Sequence, residues 1–280
     1  MAQTPRVAIV GLGTMTGAIL TGALETGAVT ADAVTATTRS AASARQKAQR
    51  HGVRVLSSEE DAGANAAAVR GADVVLLGVK PKDLVAAARG IAGDLSPEAV
   101  VVSVAAGVRA RTLAAVLPEG QPLVRTMPNT PLTVGSGVVG LAPTDTVSEP
   151  QRELVESLFS GSGLVVPVTE EQLPAVVAAA GSAPAYVFLL AEAIAAHAVE
   201  LGLPQEAAEA MAAATVKGAG LMLEAGGQSA EQLRRAVMSP NGTTERAITA
   251  FQDGGFEALV ARAMDAAAAR DVEMGEEFAG

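Results

Sequence analysis

At 280 residues, 49% hydrophobic and 2% aromatic, the chain is long enough for two domains and too apolar for a disordered one. A net charge of −10 leaves no basic surface for a nucleic-acid partner. With no Cys and with His51 and His197 as the only histidines, disulfides, thiolate chemistry and a Cys- or His-rich metal site are excluded, and no metal is expected.

Up to residue 168, short Val-rich runs alternate with Ala-rich stretches. Strands are expected at 6–10, 34–38, 73–79, 100–104, 123–126, 138–142 and 164–168, with helices at 16–25, 41–51, 82–91, 111–117 and 150–160. Several strand runs are apolar throughout, as in a sheet covered on both faces. The alternation predicts an α/β domain over 1–168 with a doubly wound, mostly parallel sheet. From 169 to 280 the strand signals stop. Helices are expected at 170–181, 184–202, 205–225, 230–238, 243–253 and 255–277, with Gly202, Gly226–Gly227 and Gly254–Gly255 at their ends. Two of these, 184–202 and 205–225, are apolar around most of their circumference and call for burial in an interface. No leader segment is evident, and apolar stretches such as 99–108 fall short of the roughly 20 residues of a membrane helix. The expectation is a cytoplasmic protein with no membrane partner.

The first strand leads into Gly11-Leu12-Gly13-Thr14-Met15-Thr16-Gly17 and then a helix. Gly11 permits the tight turn, Gly13 allows backbone to approach a pyrophosphate, and the helix start favours negative charge. The context is that of a dinucleotide-binding fingerprint, G-x-G-x-x-G, but its third glycine is Thr16 here. The second strand ends Thr37-Thr38-Arg39-Ser40 rather than in the Asp or Glu that holds an NAD ribose. Arg39 offers a guanidinium fork to a 2′-phosphate, with Thr38 and Ser40 hydroxyls beside it, so NADP(H) is preferred and NAD(H) is the alternative. Three further strand ends, at Lys80-Pro81, Ala105-Ala106-Gly107 and 127–131, share the edge where ligands bind such sheets.

In the helical half, residues 181–186 interrupt a helix with small residues and hold the only Tyr. Residues 239–245 join two helices, and the hydroxyls and N–H groups there suit a small carboxylate. An ordinary capped helix start, with Thr243 or Thr244 as the cap, is the plainer reading of the same residues.

The motifs GLGTMTG, GVKP at 78–81, SVAAGV at 103–108, RTMPNTP at 125–131, GSAPAYVF at 181–188 and SPNGTT at 239–244 occur in this order. Together they make the chain resemble the pyrroline-5-carboxylate reductase family over nearly its whole length. Ala183 and Asn241 stand where that family usually has glycine; Asn tolerates positive φ, and Ala183 adds a methyl. The resemblance implies a Rossmann domain and a helical domain that interlocks two chains as a homodimer, with higher assembly open. It implies NADPH-dependent reduction of a small-molecule substrate, 1-pyrroline-5-carboxylate, to L-proline. Cofactor contacts would fall to Gly11, Leu12, Gly13, Thr14, Met15, Thr16, Thr38, Arg39, Ser40, Asn65, Val79, Lys80 and Ala106. Substrate contacts would fall to Ser239, Gly242, Thr243 and Thr244, with Asn129 and Ser182 nearby. Thr244 is the expected hydroxyl on the ring nitrogen. Another cyclic-imine reductase, a hydroxy-acid dehydrogenase using Lys217, and a non-catalytic NADP(H)-binding protein are the competing readings.

Overall fold

The computed structural model describes residues 4–278, and the chain forms two compact units. The first comprises residues up to Gly181 together with Ala267 onward; the second is Ser182–Ala266. The division thus falls beyond the 168/169 boundary expected from the change in patterning, because the segment after the last strand and the end of the last helix pack with the sheet.

The first unit is an eight-stranded sheet in the order β3-β2-β1-β4-β5-β6-β7-β8. The elements are β1 (Val7–Val10), α1 (Thr14–Glu25), β2 (Val34–Thr38), α2 (Ala41–His51), β3 (Arg54–Ser57), α3 (Ala64–Val69), β4 (Val74–Leu77) and α4 (Pro81–Ile91). They continue with β5 (Val100–Ser103), α5 (Ala110–Ala114), β6 (Leu123–Pro128), β7 (Gly137–Pro143), α6 (Glu149–Ser160) and β8 (Gly163–Pro167). All pairings are parallel except β6 with β7. The seven expected strands all form, with ends shifted by at most two residues. β3 and α3 were not anticipated: β3 is four residues of mixed polarity at the sheet edge, too short and too polar to carry a pattern.

The alternation of side chains along the buried strands divides the core in two. Ile9, Leu76, Val100, Val102 and Val124 meet α1 and α6 through Ile19, Leu20, Leu158 and Phe159. Val10, Val75, Leu77 and Val101 meet α4 and α5 through Leu84, Ile91 and Leu113 on the other face. After β8, Glu170 takes the N–H of Ala110 at 2.7 Å and pairs with the buried Arg125 of β6 at 2.9 Å. That pair anchors the chain as it leaves the sheet.

From Glu170 to Glu200 the chain runs through a 3-10 turn, α7 (Leu173–Val176), a π turn (Val177–Gly181), a bend at Ser182 and α8 (Ala183–Glu200). The interruption expected from residue 181 is present, as the π turn that ends at Gly181 and a bend at Ser182 before α8 starts. One expectation is corrected. The 31-residue run is long and apolar enough to cross a membrane by length and composition, against the expectation that every apolar stretch falls short. Splitting the run at Gly181 hid its length.

The second unit holds all of α8, then α9 (Gln205–Glu224), α10 (Ala230–Ala236), α11 (Thr243–Asp253) and the first half of α12 (Phe256–Glu277). Gly202, Gly226 and Gly255 have positive φ at the expected helix ends. This unit's buried core consists of Ala195, Ala208 and Ala212, while Phe188 and Leu189 are each 66% exposed and Leu201 78% exposed. A helical unit with so small a core and so much apolar surface requires a cover.

Candidate active site

Strand β1 ends at the middle of the sheet, and the turn after it is held from three sides. Gly11, at φ +88°, donates its N–H to the Thr37 hydroxyl at 3.1 Å, and Leu12 donates to the Thr37 carbonyl at 2.7 Å. The Lys47 ammonium, from α2, donates to the Leu12 carbonyl. Burial first, and the Arg50 charge second, hold the Lys47 pKa below its usual value.

Thr16, where the fingerprint has glycine, is 1% exposed. Its hydroxyl accepts the Gly13 N–H at 2.9 Å and donates to the Gly11 carbonyl at 3.0 Å, closing the turn from inside. The close packing that a third glycine provides is supplied instead by Gly78, at the end of β4. A Cβ on Gly78 would fall 2.3 Å from the Thr16 methyl and 2.6 Å from the Gly11 carbonyl oxygen. The glycine has moved across the interface rather than disappeared.

These contacts leave room for a dinucleotide. Around a Cβ built on Gly13 the nearest non-local atom is the Gly78 oxygen at 4.0 Å, so the backbone there is open to a ligand. The N–H groups of Thr14, Met15 and Thr16 open α1 and have no intrahelical partner. Leu12 is buried, Met15 half-buried and Thr14 exposed. At the end of β2 the Arg39 side chain is 92% exposed and lies 3.9 Å from Asp83 of α4. The Thr38 hydroxyl is used locally, donating to the Ser40 carbonyl at 3.1 Å, and the Ser40 oxygen caps α2 by accepting the Ser43 N–H. Glu59 accepts the Ala41 N–H at 2.9 Å. One carboxylate, that of Asp83, therefore faces the Arg39 guanidinium, and it is not on β2.

Val79 and Lys80 follow β4; Lys80 is exposed and caps α4, whose first residue is Pro81. Ala106 is half-buried in the loop after β5, and Asn65 lies half-buried on α3. Asn129 is 6% exposed and its amide is engaged at both ends, accepting the Val138 N–H at 2.8 Å and donating to the Ala180 carbonyl at 3.1 Å. Those bonds tie the loop after β6 to β7 and to the π turn, where Gly181 faces Met127. Asn129 thus braces this loop, with one N–H and one lone pair of its amide engaged.

In the helical unit, the segment before α11 turns at Asn241, whose φ is +58°, the conformation that its glycine-like position requires. Gly242 donates to the Ser239 carbonyl at 2.9 Å, and a Cβ there would fall 2.4 Å from the Ser239 hydroxyl oxygen. The helix cap is Gly242, which has no side chain. Neither Thr243 nor Thr244 serves as the cap expected in the plainer reading; a glycine holds that position instead. Thr243 is exposed and Thr244 half-buried at the helix start, with Glu245 bonded back to the Asn241 N–H at 2.7 Å. Ser182, half-buried, precedes α8. Lys217 is exposed on α9, and His197 points outward to pair with Glu200 at 2.7 Å. Among the described residues no cluster of His, Cys, Asp or Glu could hold a metal.

Comparison with known proteins gives this arrangement its family. A family model described as pyrroline-5-carboxylate reductase dimerisation matches residues 170–274, and one described as coenzyme F420-dependent NADP oxidoreductase matches residues 6–107. The pyrroline-5-carboxylate reductase of Pseudomonas aeruginosa is 40% identical over 277 residues, 99% of each chain. This chain belongs to the pyrroline-5-carboxylate reductase family. A solved pyrroline-5-carboxylate reductase from Coxiella burnetii superposes with a TM-score of 0.91 at 35% identity, covering 97% of this chain and 99% of that one. The Plasmodium falciparum pyrroline carboxylate reductase, solved with NADP bound, shares the fold at a TM-score of 0.82 and 24% identity, covering 97% of this chain and 98% of that one.

Within this family member, sequence reasoning missed Thr37, Lys47, Gly78, Glu59 and Asp83. Each acts on the glycine turn or the Arg39 corner from a different element, so no local spacing announces it. Gly78 alone had a signal, since it opens the GVKP motif.

Proposed function

We propose that the protein reduces 1-pyrroline-5-carboxylate to L-proline with NADPH, the first unit holding the dinucleotide and the helical unit the substrate. The observation that carries this reading is the start of α11: capped by a glycine, it leaves the Thr243 and Thr244 hydroxyls and the first-turn N–H groups for a ligand. A small carboxylate fits that helix start. Ser239, Gly242 and Thr243 surround the carboxylate, and Ser182 lies at the rim. Asn129 shapes the neighbouring loop.

When bound, NADPH supplies two electrons and a hydrogen to C5 of the imine ring. The chain's residues bind and orient. Gly13 and the α1 start hold the pyrophosphate, Val79, Lys80 and Ala106 line the ring-bearing half, and Asn65 contacts the cofactor from α3. Thr244 hydrogen-bonds the ring nitrogen and keeps its proton in place. A protonated imine carbon is electrophilic enough that proximity and orientation supply most of the remaining rate.

The phosphorylated cofactor is preferred because Arg39 is the solvent-facing cation at the end of β2 and can fork a 2′-phosphate. Two chains pair through the helical unit, which the match to the family's dimerisation region supports. That pairing covers Phe188, Leu189 and the rest of the apolar 170–200 run without a membrane, as in a cytoplasmic enzyme. Following NADPH oxidation with pyrroline-5-carboxylate beside a panel of cyclic imines tests the reading. Turnover of pyrroline-5-carboxylate above the others is expected; NADPH binding without that turnover would overturn it.

A further inference from the structure

The loop after β5 is packed from behind by the end of α12. Gly107 has φ +76°, and a Cβ there would fall 2.8 Å from Met274 Cβ and 3.5 Å from Phe278. The fit is reciprocal: a Cβ on Gly275 would fall 2.9 Å from Arg109 Nε and 3.1 Å from the Gly107 carbonyl oxygen. Gly275 is buried, and Phe278 joins the hydrophobic cluster that includes Ala105, Val108 and Ala110. Two glycines, one on each side, thus let helix and loop backbone meet at a distance no side chain permits. Nothing in the local chemistry of either segment demands such closeness; an ordinary helix-to-loop contact is looser.

We propose that the last turns of α12, through Met274 and Gly275, are the positioning element of the 105–109 loop and set where Ala106 meets the nicotinamide half of the cofactor. This rests on the reading that Ala106 lines that half. The helix adds a close backbone contact at Gly107 to the supports the loop already has, the burial of Ala105 and Val108 in that cluster and the Ala110 N–H bond to Glu170. Met274 and Gly275 are positioning residues; they touch the loop, not the cofactor.

The test uses the full chain and two ligands: NADPH, followed by its fluorescence, and adenosine 2′,5′-bisphosphate, which carries the phosphoadenosine half alone. For Gly275→Ala, NADPH should bind about tenfold more weakly while the fragment binds within twofold of wild type. Hydride transfer to pyrroline-5-carboxylate should slow by a similar factor. Met274→Ala, which only removes atoms, should weaken NADPH in the same direction, and keeps the test alive if Gly275→Ala does not fold. Unchanged NADPH binding in both variants, or equal loss of NADPH and fragment, would overturn the proposal. Ala106→Val separates it from its foundation. Weakened NADPH binding there with normal binding in Gly275→Ala and Met274→Ala refutes the positioning role alone. Unaltered binding in Ala106→Val removes the assignment of the loop, and the proposal with it.

Discussion

Restoring the fingerprint glycine at Thr16 should harm this protein. Thr16→Gly removes a buried hydroxyl that makes hydrogen bonds of 2.9 Å and 3.0 Å across the turn. At about 1 kcal/mol net for each bond, and about 0.5–1 kcal/mol for glycine in the first helical turn, the loss is about 2–3 kcal/mol. For a unit of this size that lowers the melting temperature by about 4–12 °C. The Gly13 N–H loses its partner and the turn its internal brace, so NADPH should bind about tenfold more weakly. Thr16→Ser keeps the hydroxyl and gives up one methyl against Gly78, a loss of about 1 kcal/mol. Thermal unfolding and NADPH fluorescence titration of the three proteins read both effects. A Thr16→Gly protein that melts within a degree of wild type and binds NADPH equally would refute the role given to the hydroxyl.

Arg39→Asp should shift preference toward NADH, and a preference for NADPH that survives would remove Arg39 from the 2′-phosphate. Asp83→Asn should tighten NADPH up to about fivefold at low salt, since an exposed pair is worth about 0.2–1 kcal/mol; no change would show that the pair does not compete with phosphate. Thr244→Ala should lower kcat by about ten- to a hundredfold with NADPH affinity unchanged, and a wild-type rate would take Thr244 out of the site. His51 sits between Gly17 and Thr21 of α1, and burial, then Arg50 and Lys47, hold its pKa below the usual value. The unfolded chain then binds the proton more readily, so this contribution to stability is complete above about pH 6.5 and is lost as pH falls through that value toward the folded pKa. Melting temperature between pH 7 and 5 should fall more steeply for wild type than for His51→Gln; parallel curves would contradict this.

The fold was legible because its signals are local. Val-rich runs and helix-stop glycines lie within one element, whereas β3 shows only four residues of mixed polarity at an edge and so left no trace. The small residues from Gly181 onward mark an interruption that the structure has, a π turn ending at Gly181 and a bend at Ser182, with Gly181 set against Met127. The candidate site was legible as far as its own strand and helix ends. Thr16 reads as a defect in the fingerprint until Gly78 is seen against it, and Arg39 reads as unopposed until Asp83 arrives from α4. At Asn129 the resemblance implies a place near the substrate, and the two backbone partners of its amide, on β7 and the π turn, lie too far along the chain for the sequence to show.

The central claim is that this chain moves hydrogen from NADPH to the imine carbon of pyrroline-5-carboxylate. The most direct measurement uses NADPH deuterated at C4 of the nicotinamide and analyses the product by mass and NMR. L-Proline carrying one deuterium at C5 is the expected result. NADPH consumed without proline, or proline without the label at C5, would contradict the account.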